Sequence, residues 1–306
     1  MTSGSVPGDR VILVVGATGD LGQRVVRRLQ NGGQQVRALV RPNTNLGQGA
    51  HKGADIVRGD LTDPDSLLPA CNGVSTVVLT ATAIARRLAG ERLSIRDVDQ
   101  LGGLALVDAA ESAGVTRFVY MSFPGADGGA RTPLEQAKLA VEQRLRASSM
   151  QPVIVRADAF QEIHLSPVAR FDVARGKVSI IGRGDCERRW IATEDVAALV
   201  AAVTVETDAP EIIEVGGPES ISKNKLVELA ERTSGRRIKT QHMPRQLARV
   251  VIALTARRND ALASALGAGL HQDLLPASWD DTPLRERGIQ PQSPTDYVTR
   301  MARATS

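Results

Sequence analysis

Aromatic residues are scarce in this chain. Trp, Tyr and Phe together make up 3% of its 306 residues. Core volume must come from alanine, valine and leucine, and a row of rings for stacking bare bases is not available. Cysteine occurs only twice, at Cys71 and Cys186, with no CxxC spacing, so neither a disulfide framework nor a thiolate metal site is expected. The four histidines, His51, His164, His242 and His271, are isolated and form no HExxH pattern, which speaks against a metal centre. No nucleophile elbow G-x-S-x-G is present, which speaks against a serine hydrolase. Long hydrophobic runs are also missing. The most apolar stretch, 246–270, is broken by Arg249, Arg257, Arg258 and Asp260, so no membrane span is expected. The opening MTSGSVPGDR lacks an apolar signal region, and a cytoplasmic protein is the expectation. Lysine is rare, so arginine carries most of the 38 basic charges. Its doublets at 86–87, 188–189, 236–237 and 257–258 are scattered and form no basic arm, and no nucleic-acid partner is expected.

What is present is an ordinary globular mixture, 42% apolar and 24% charged with a net charge of +4. The length suits one large α/β domain with a lobe attached. Residues 11–41, VILVVGATGDLGQRVVRRLQNGGQQVRALVR, organise it. Val11 to Val15 is an unbroken apolar run, as in a strand buried on both faces of a parallel sheet. Val25, Val26 and Leu29 then recur at helical spacing, Gly32 and Gly33 stop that helix, and Val36 to Val40 forms a second strand. Between strand and helix, Gly16, Gly19 and Gly22 fall three residues apart. In a dinucleotide site the first permits the sharp turn, the second lets the backbone approach a pyrophosphate, and the third lets the helix pack closely on the sheet. The helix N-terminus offers its N–H groups to the phosphates.

The tip of the second strand has no acid for a ribose 2′-OH. Arg41 stands there instead, suited to a 2′-phosphate, so NADP(H) is expected in preference to NAD. Ile56-Val57 reads as a third strand ending in Asp60-Leu61. That carboxylate faces a cofactor crevice or simply closes a turn, with Asp63 capping a helix over 64–70. Thr76 to Leu79 is a fourth strand, followed by the small Ala81 and Thr82. A helix is expected over 97–112, a strand over 117–121 and a helix over 133–148, with a sixth strand at 153–155. This alternation specifies a doubly wound parallel sheet of the Rossmann type. From 157 the pattern changes to short strands (178–181, 212–215) and helices (193–205, 222–234, 244–270). We read 1–9 as disordered, 10–156 as the nucleotide-binding domain and 157–306 as a smaller α/β lobe interleaved with it. Asp195 reads as a helix-start or inter-lobe residue. The sequence leaves open whether 246–270 packs on the lobe or forms an interface, and whether the chain is a homo-oligomer.

Short-chain dehydrogenases pair a Ser with a Tyr and a Lys one helical turn apart. Ser122 follows the fifth strand and Lys138 lies on the next helix, but Leu134 occupies the position of the Tyr. Tyr120 and Tyr297, the only tyrosines, are badly placed to replace it. Lys138 then acts as acid or base, or binds a ribose. Alternatively the acceptor draws its proton from solvent, or the fold binds its cofactor without catalysis. His164 in FQEIHLSP is a candidate pocket residue or an ordinary half-buried histidine.

These pieces resemble the NmrA-like atypical short-chain dehydrogenase/reductases. GATGDLG after VILVV, GDLTDPDSL, ESAGVTRFVYMS and AKLAVEQRLRAS carry the likeness. It continues through VRADAFQE, RRWIATEDVAALVA and EIIEVGGPESISKNKLVELAERTSG, over residues 10–240. The resemblance implies that Gly16, Ala17, Thr18, Gly19, Asp20, Leu21, Gly22 and Arg41 hold NADP. It also implies cofactor contacts from Asp60, Leu61, Ala81, Thr82 and Lys138, and places Arg156 to Phe160 beside the nicotinamide. Phe123, Ala157, Phe160 and His164 are the candidate substrate residues, although Ala157 replaces the proline common after that Arg. The implied activity is NADP(H)-dependent reduction of a quinone or other conjugated small molecule, with Lys138 and Ser122 at the reacting end. The alternative is a non-catalytic sensor or scaffold.

Overall fold

The structure is a computed structural model and describes residues 11–46, 53–125 and 132–304. The N-terminus at 1–9 and most of the glycine-rich loop 123–132 lie outside the described residues.

The chain opens with β1 (Val11–Val15), α1 (Asp20–Asn31) and β2 (Gln35–Val40). Val25, Val26 and Leu29 form the buried stripe of α1, and Gly33 ends it in the left-handed region at φ 75°. Then come β3 (Asp55–Arg58), α2 (Leu67–Cys71), β4 (Val74–Leu79), α3 (Ile84–Leu88), α4 (Gly103–Ser112), β5 (Arg117–Ser122), α5 (Pro133–Arg146) and β6 (Gln151–Ala157). The helix expected from 97 is a π-helical segment over 96–102 that continues as α4. Asp63 does not cap the helix after it. Its backbone oxygen accepts from Ser66 Oγ instead, and a short 3-10 turn precedes α2.

Past β6 the elements shorten, with α6 (Gln161–His164), β7 (Phe171–Asp172), β8 (Lys177–Ile181), β9 (Glu187–Arg188), α7 (Thr193–Val205) and β10 (Ile212–Val215). The chain closes with β11 (Ile221–Ser222), α8 (Lys223–Ser234), β12 (Lys239–Met243), α9 (Arg245–Thr255), α10 (Asp260–Leu274), α11 (Thr282–Arg285) and α12 (Pro294–Arg303). The stretch 244–270, expected as one helical region, is therefore two helices. Asn259 separates them, its side chain accepting from Leu262 N at the start of α10.

Seven strands form one sheet in the order β10-β6-β5-β4-β1-β2-β3. The pairs β1/β2, β1/β4, β2/β3 and β4/β5 are parallel. β10, read from sequence as part of the lobe, is the edge strand of this sheet beside β6. The strand order reverses between β1 and β4, and ligands of open α/β sheets bind outside the carboxyl ends at such a point. Register makes those ends level: Val15 lies opposite Leu39 and Leu79, and Leu79 opposite Tyr120. Gly16, Val40, Thr80 and Met121 are thus the next residues of one row.

The described chain forms two compact units. The first comprises residues up to Ser122, Gln136–Val155 and Ala197–Ile212, and the second Phe123–Glu135, Arg156–Val196 and Ile213 onwards. The first unit is built on the central strands of the large sheet. The second has a core of Leu165, Phe171, Trp190, Leu226 and Val298, with β12-β8-β7 as its sheet. No helix among the described residues is long and apolar enough to cross a membrane.

Candidate functional site

The candidate cofactor residues and both candidate catalytic residues belong to the first unit. Gly16 leaves β1 at φ 94°, a conformation that L side chains rarely adopt. A Cβ on it would stand 2.7 Å from Ala81 N, and one on Gly22 would stand 2.0 Å from Gly16 O. Both positions are closed by the protein itself. Gly19 differs. Its φ of −77° suits any residue, and the nearest atom to an added Cβ is Gly16 O at 3.4 Å. Nothing among the described residues requires glycine there, and the missing side chain leaves the backbone open at the head of α1. The turn is held by Gly19 N donating to Gly16 O at 2.9 Å and Gln23 Nε2 donating to Thr18 O at 2.7 Å. Asp20, in the first turn of α1, pairs with Arg24 at 3.0 Å. Ala17 is buried and Leu21 partly so.

Across the strand order reversal, Thr80 closes the ends of β1 and β4, its N and Oγ1 both donating to Val15 O. Ala81 is half-buried and Thr82 exposed. Beyond β3, Asp60 and Leu61 line a cleft of about 600 Å³ with Leu93, Val98, Leu101 and Gly102. That volume lies in the ordinary range for small-molecule sites. Asp60 also closes its own turn, Oδ1 accepting from Thr62 N and Thr62 Oγ1. The two readings of Asp60 are therefore compatible. A Cβ on Gly102 would fall 2.6 Å from Leu61 O, which explains glycine where the π-helical segment meets this loop.

Arg41 follows β2 and is charge-matched already. Its Nη1 lies 3.7 Å from Glu91 Oε2, and the same oxygen accepts from Arg86 Nη2 at 2.5 Å. The Arg86 guanidinium, through that hydrogen bond and its charge, lowers the pKa of Glu91, and Arg41 adds to this. Sequence reasoning missed Glu91 because 83–96 shows no period. The available signal was one acid among Arg86, Arg87, Arg92 and Arg96.

Lys138 and Ser122 meet at the end of β5. Lys138 is buried on α5, and its Nζ donates to Met121 O at 2.7 Å and lies 4.8 Å from the centre of the Tyr120 ring. Burial lowers its pKa, against the opposing charges of Asp99 and Glu142. Ser122, next in the chain, is 6% exposed, and its Oγ has no hydrogen-bond partner among the described residues. Tyr120 is buried, and burial with the charges of Asp99 and Glu142 pushes its pKa far up, so it is no proton donor. Leu134, where the Tyr of a Tyr–Lys pair would stand, bonds through its backbone N to Ser264 Oγ.

The four substrate candidates fall in the second unit. Ala157 is buried at the end of β6, and Phe123 and Phe160 are half-buried. His164 is half-buried, tilted against Trp190 with centroids 6.5 Å apart, and its Nδ1 lies 3.0 Å from Gln272 Nε2. Burial, with the charges of Lys223 and Arg188, pulls its pKa down to about 3. That leaves the ring uncharged at neutral pH where it packs against Trp190. Asp195 accepts from Gln292 N at 2.7 Å and so ties down the chain before α12.

Comparison with known proteins gives the family and the fold. The model of the NmrA-like family matches residues 8–266. A photosystem II assembly factor, Ycf39 of Cyanophora paradoxa, is 32% identical over 248 residues, covering 76% of this chain and 71% of that one. An NAD(P)H azoreductase of Xenophilus azovorans is 28% identical over 231 residues, covering 75% and 76%. Among solved structures, an NADPH-dependent quinone oxidoreductase of Escherichia coli complexed with NADPH shares the fold. Its TM-score is 0.74 at 22% identity, over 95% of this chain and 99% of that one.

Proposed function

The chain belongs to the NmrA-like family, and from that premise we propose that it is an NADP(H)-dependent reductase delivering hydride to a quinone or another conjugated small molecule. The observation that carries the catalytic part is Ser122. A hydroxyl withdrawn from water without a partner costs about 1–3 kcal/mol unless something supplies the bond. This one sits one residue from the carbonyl that holds a buried lysine.

The glycine turn from Gly16 to Gly22, with Ala17, Thr18, Asp20 and Leu21, would hold the pyrophosphate at the head of α1. Asp60 and Leu61 would take the adenine side, Ala81 and Thr82 the other half, and Arg41 the 2′-phosphate. Bound there, nicotinamide supplies the hydride. Lys138 has three N–H groups, one of them committed to Met121, and its positive charge stands where negative charge would develop on an acceptor oxygen. Ser122 orients that oxygen, and the remaining proton comes from solvent. The names of the azoreductase and quinone oxidoreductase relatives point to conjugated acceptors of this kind.

A second reading, a cofactor-loaded sensor or scaffold without turnover, is favoured by Leu134 in place of a Tyr and by a relative named as an assembly factor. NADPH consumption against a panel of quinones, azo dyes and conjugated carbonyls separates the two. Turnover by the wild type that fails in Lys138→Ala and Ser122→Ala supports the reductase. NADPH binding with no turnover on any acceptor supports the sensor.

A further inference from the structure

The positive charge of this protein is concentrated in one segment. Residues 232–259 contain eight of the 38 basic side chains and none of the 34 acidic ones. The rest of the chain, with 30 basic and 34 acidic residues, is net negative. At the end of that segment lies α9. Ala248 and Ile252 form its buried face, and Arg245 fixes it to α10 by pairing with Asp273 at 2.5 Å. On its other side Leu247, Val250 and Leu254 are 50%, 54% and 73% exposed. Their spacing of three and four residues stacks them in one stripe. Arg257 and Arg258, exposed, follow Leu254 within one turn's length of chain, and Arg249 is exposed on the flank of the helix between that stripe and the buried face.

We propose that α9 is a peripheral docking face for an anionic lipid surface. An amphipathic helix with leucines on one side and arginines beside them lies in the plane of a bilayer interface. The apolar side chains enter the acyl boundary and the guanidiniums meet the headgroups. Charge decides against the other occupants. A second copy related by a two-fold axis would bring the two sets of arginines together. Three apolar side chains are also far short of the roughly 800 Å² each partner contributes to a stable complex. Nucleic acid would set its phosphates against the leucines. This inference is independent of the cofactor reading.

The test is sedimentation of the full chain with vesicles of phosphatidylcholine alone or of phosphatidylcholine containing phosphatidylglycerol. Binding should appear only with phosphatidylglycerol and weaken as salt rises. Leu254→Ser with Leu247→Ser should reduce it about tenfold. Arg249→Gln with Arg257→Gln should reduce it about tenfold or more and flatten the salt dependence. All four positions are exposed, so melting temperatures should stay unchanged and NADPH binding should be unaffected. Equal pelleting with neutral vesicles, or none with either, overturns the proposal. So does a dimer in light scattering that Leu254→Ser dissociates.

Discussion

Two buried cations, Lys138 in the first unit and Arg188 in the second, are handled in opposite ways. Arg188, 2% exposed, is neutralised. Its Nη2 pairs with Asp158 Oδ1 at 2.5 Å, its Nη1 donates to Leu275 O, and its guanidinium lies 5.2 Å from the Trp279 ring centre. Asp158 is fixed in turn by Trp279 Nε1 at 3.0 Å. Among the described residues Lys138 has no carboxylate at salt-bridge distance; its Nζ meets the Met121 carbonyl and the Tyr120 face. A paired buried ion is a packing element whose charge is spent inside the protein. An unpaired one keeps its field for whatever arrives.

The largest effect that tests this contrast is expected at Asp158. Asp158→Ala strands Arg188 and should cost about 3–5 kcal/mol in chemical denaturation, while NADPH affinity of the folded fraction is retained. Lys138→Ala should do the converse, with turnover falling roughly hundredfold, about 2.7 kcal/mol, and a smaller loss of stability than Asp158→Ala. If Lys138→Ala proves as unstable as Asp158→Ala with its turnover intact, the contrast is broken. The glycines sharpen it within one turn. Gly22→Ala should lose about 1–3 kcal/mol of stability by overpacking, whereas Gly19→Ala should melt like wild type yet bind the dinucleotide poorly in titration calorimetry.

Arg41→Ala should shift preference from NADPH toward NADH by about tenfold, about 1.4 kcal/mol. Glu91→Gln should tighten NADPH binding several-fold, because the 2′-phosphate no longer has to displace a carboxylate. The smallest effect at neutral pH belongs to His164. Its folded pKa of about 3 lies below the unfolded 6.5, so between these values the unfolded chain binds a proton that the folded one does not. Stability therefore falls as pH drops through that window, and His164→Gln should flatten the fall in denaturation curves taken from neutral to acid.

The β1–α1–β2 unit was legible from the sequence because buried strands, glycine turns and helical stripes each leave a local pattern. The placement of Ile212–Val215 was not. A short apolar run reads the same at the edge of one sheet as in another, and only tertiary pairing decides. The break between α9 and α10 was signalled by Asn259 before Asp260, but the alanine-rich flanks masked it. At the candidate site the glycines and Lys138 could be read from motif spacing. Glu91 could not, since its meeting with Arg41 joins two segments fifty residues apart. Nor could the pairing that consumes Arg188, whose doublet in the sequence looks like any other.

The two compact units are threaded alternately, the chain leaving and re-entering each of them more than once. No single cut in the gene separates them. A truncation after β6 would take with it α7 from Ala197 onward and the edge strand β10. In terms of evolution by recombination, a crossover anywhere between residues 122 and 213 splits at least one unit. Whole-gene duplication and point substitution thus keep both units intact where such a crossover does not.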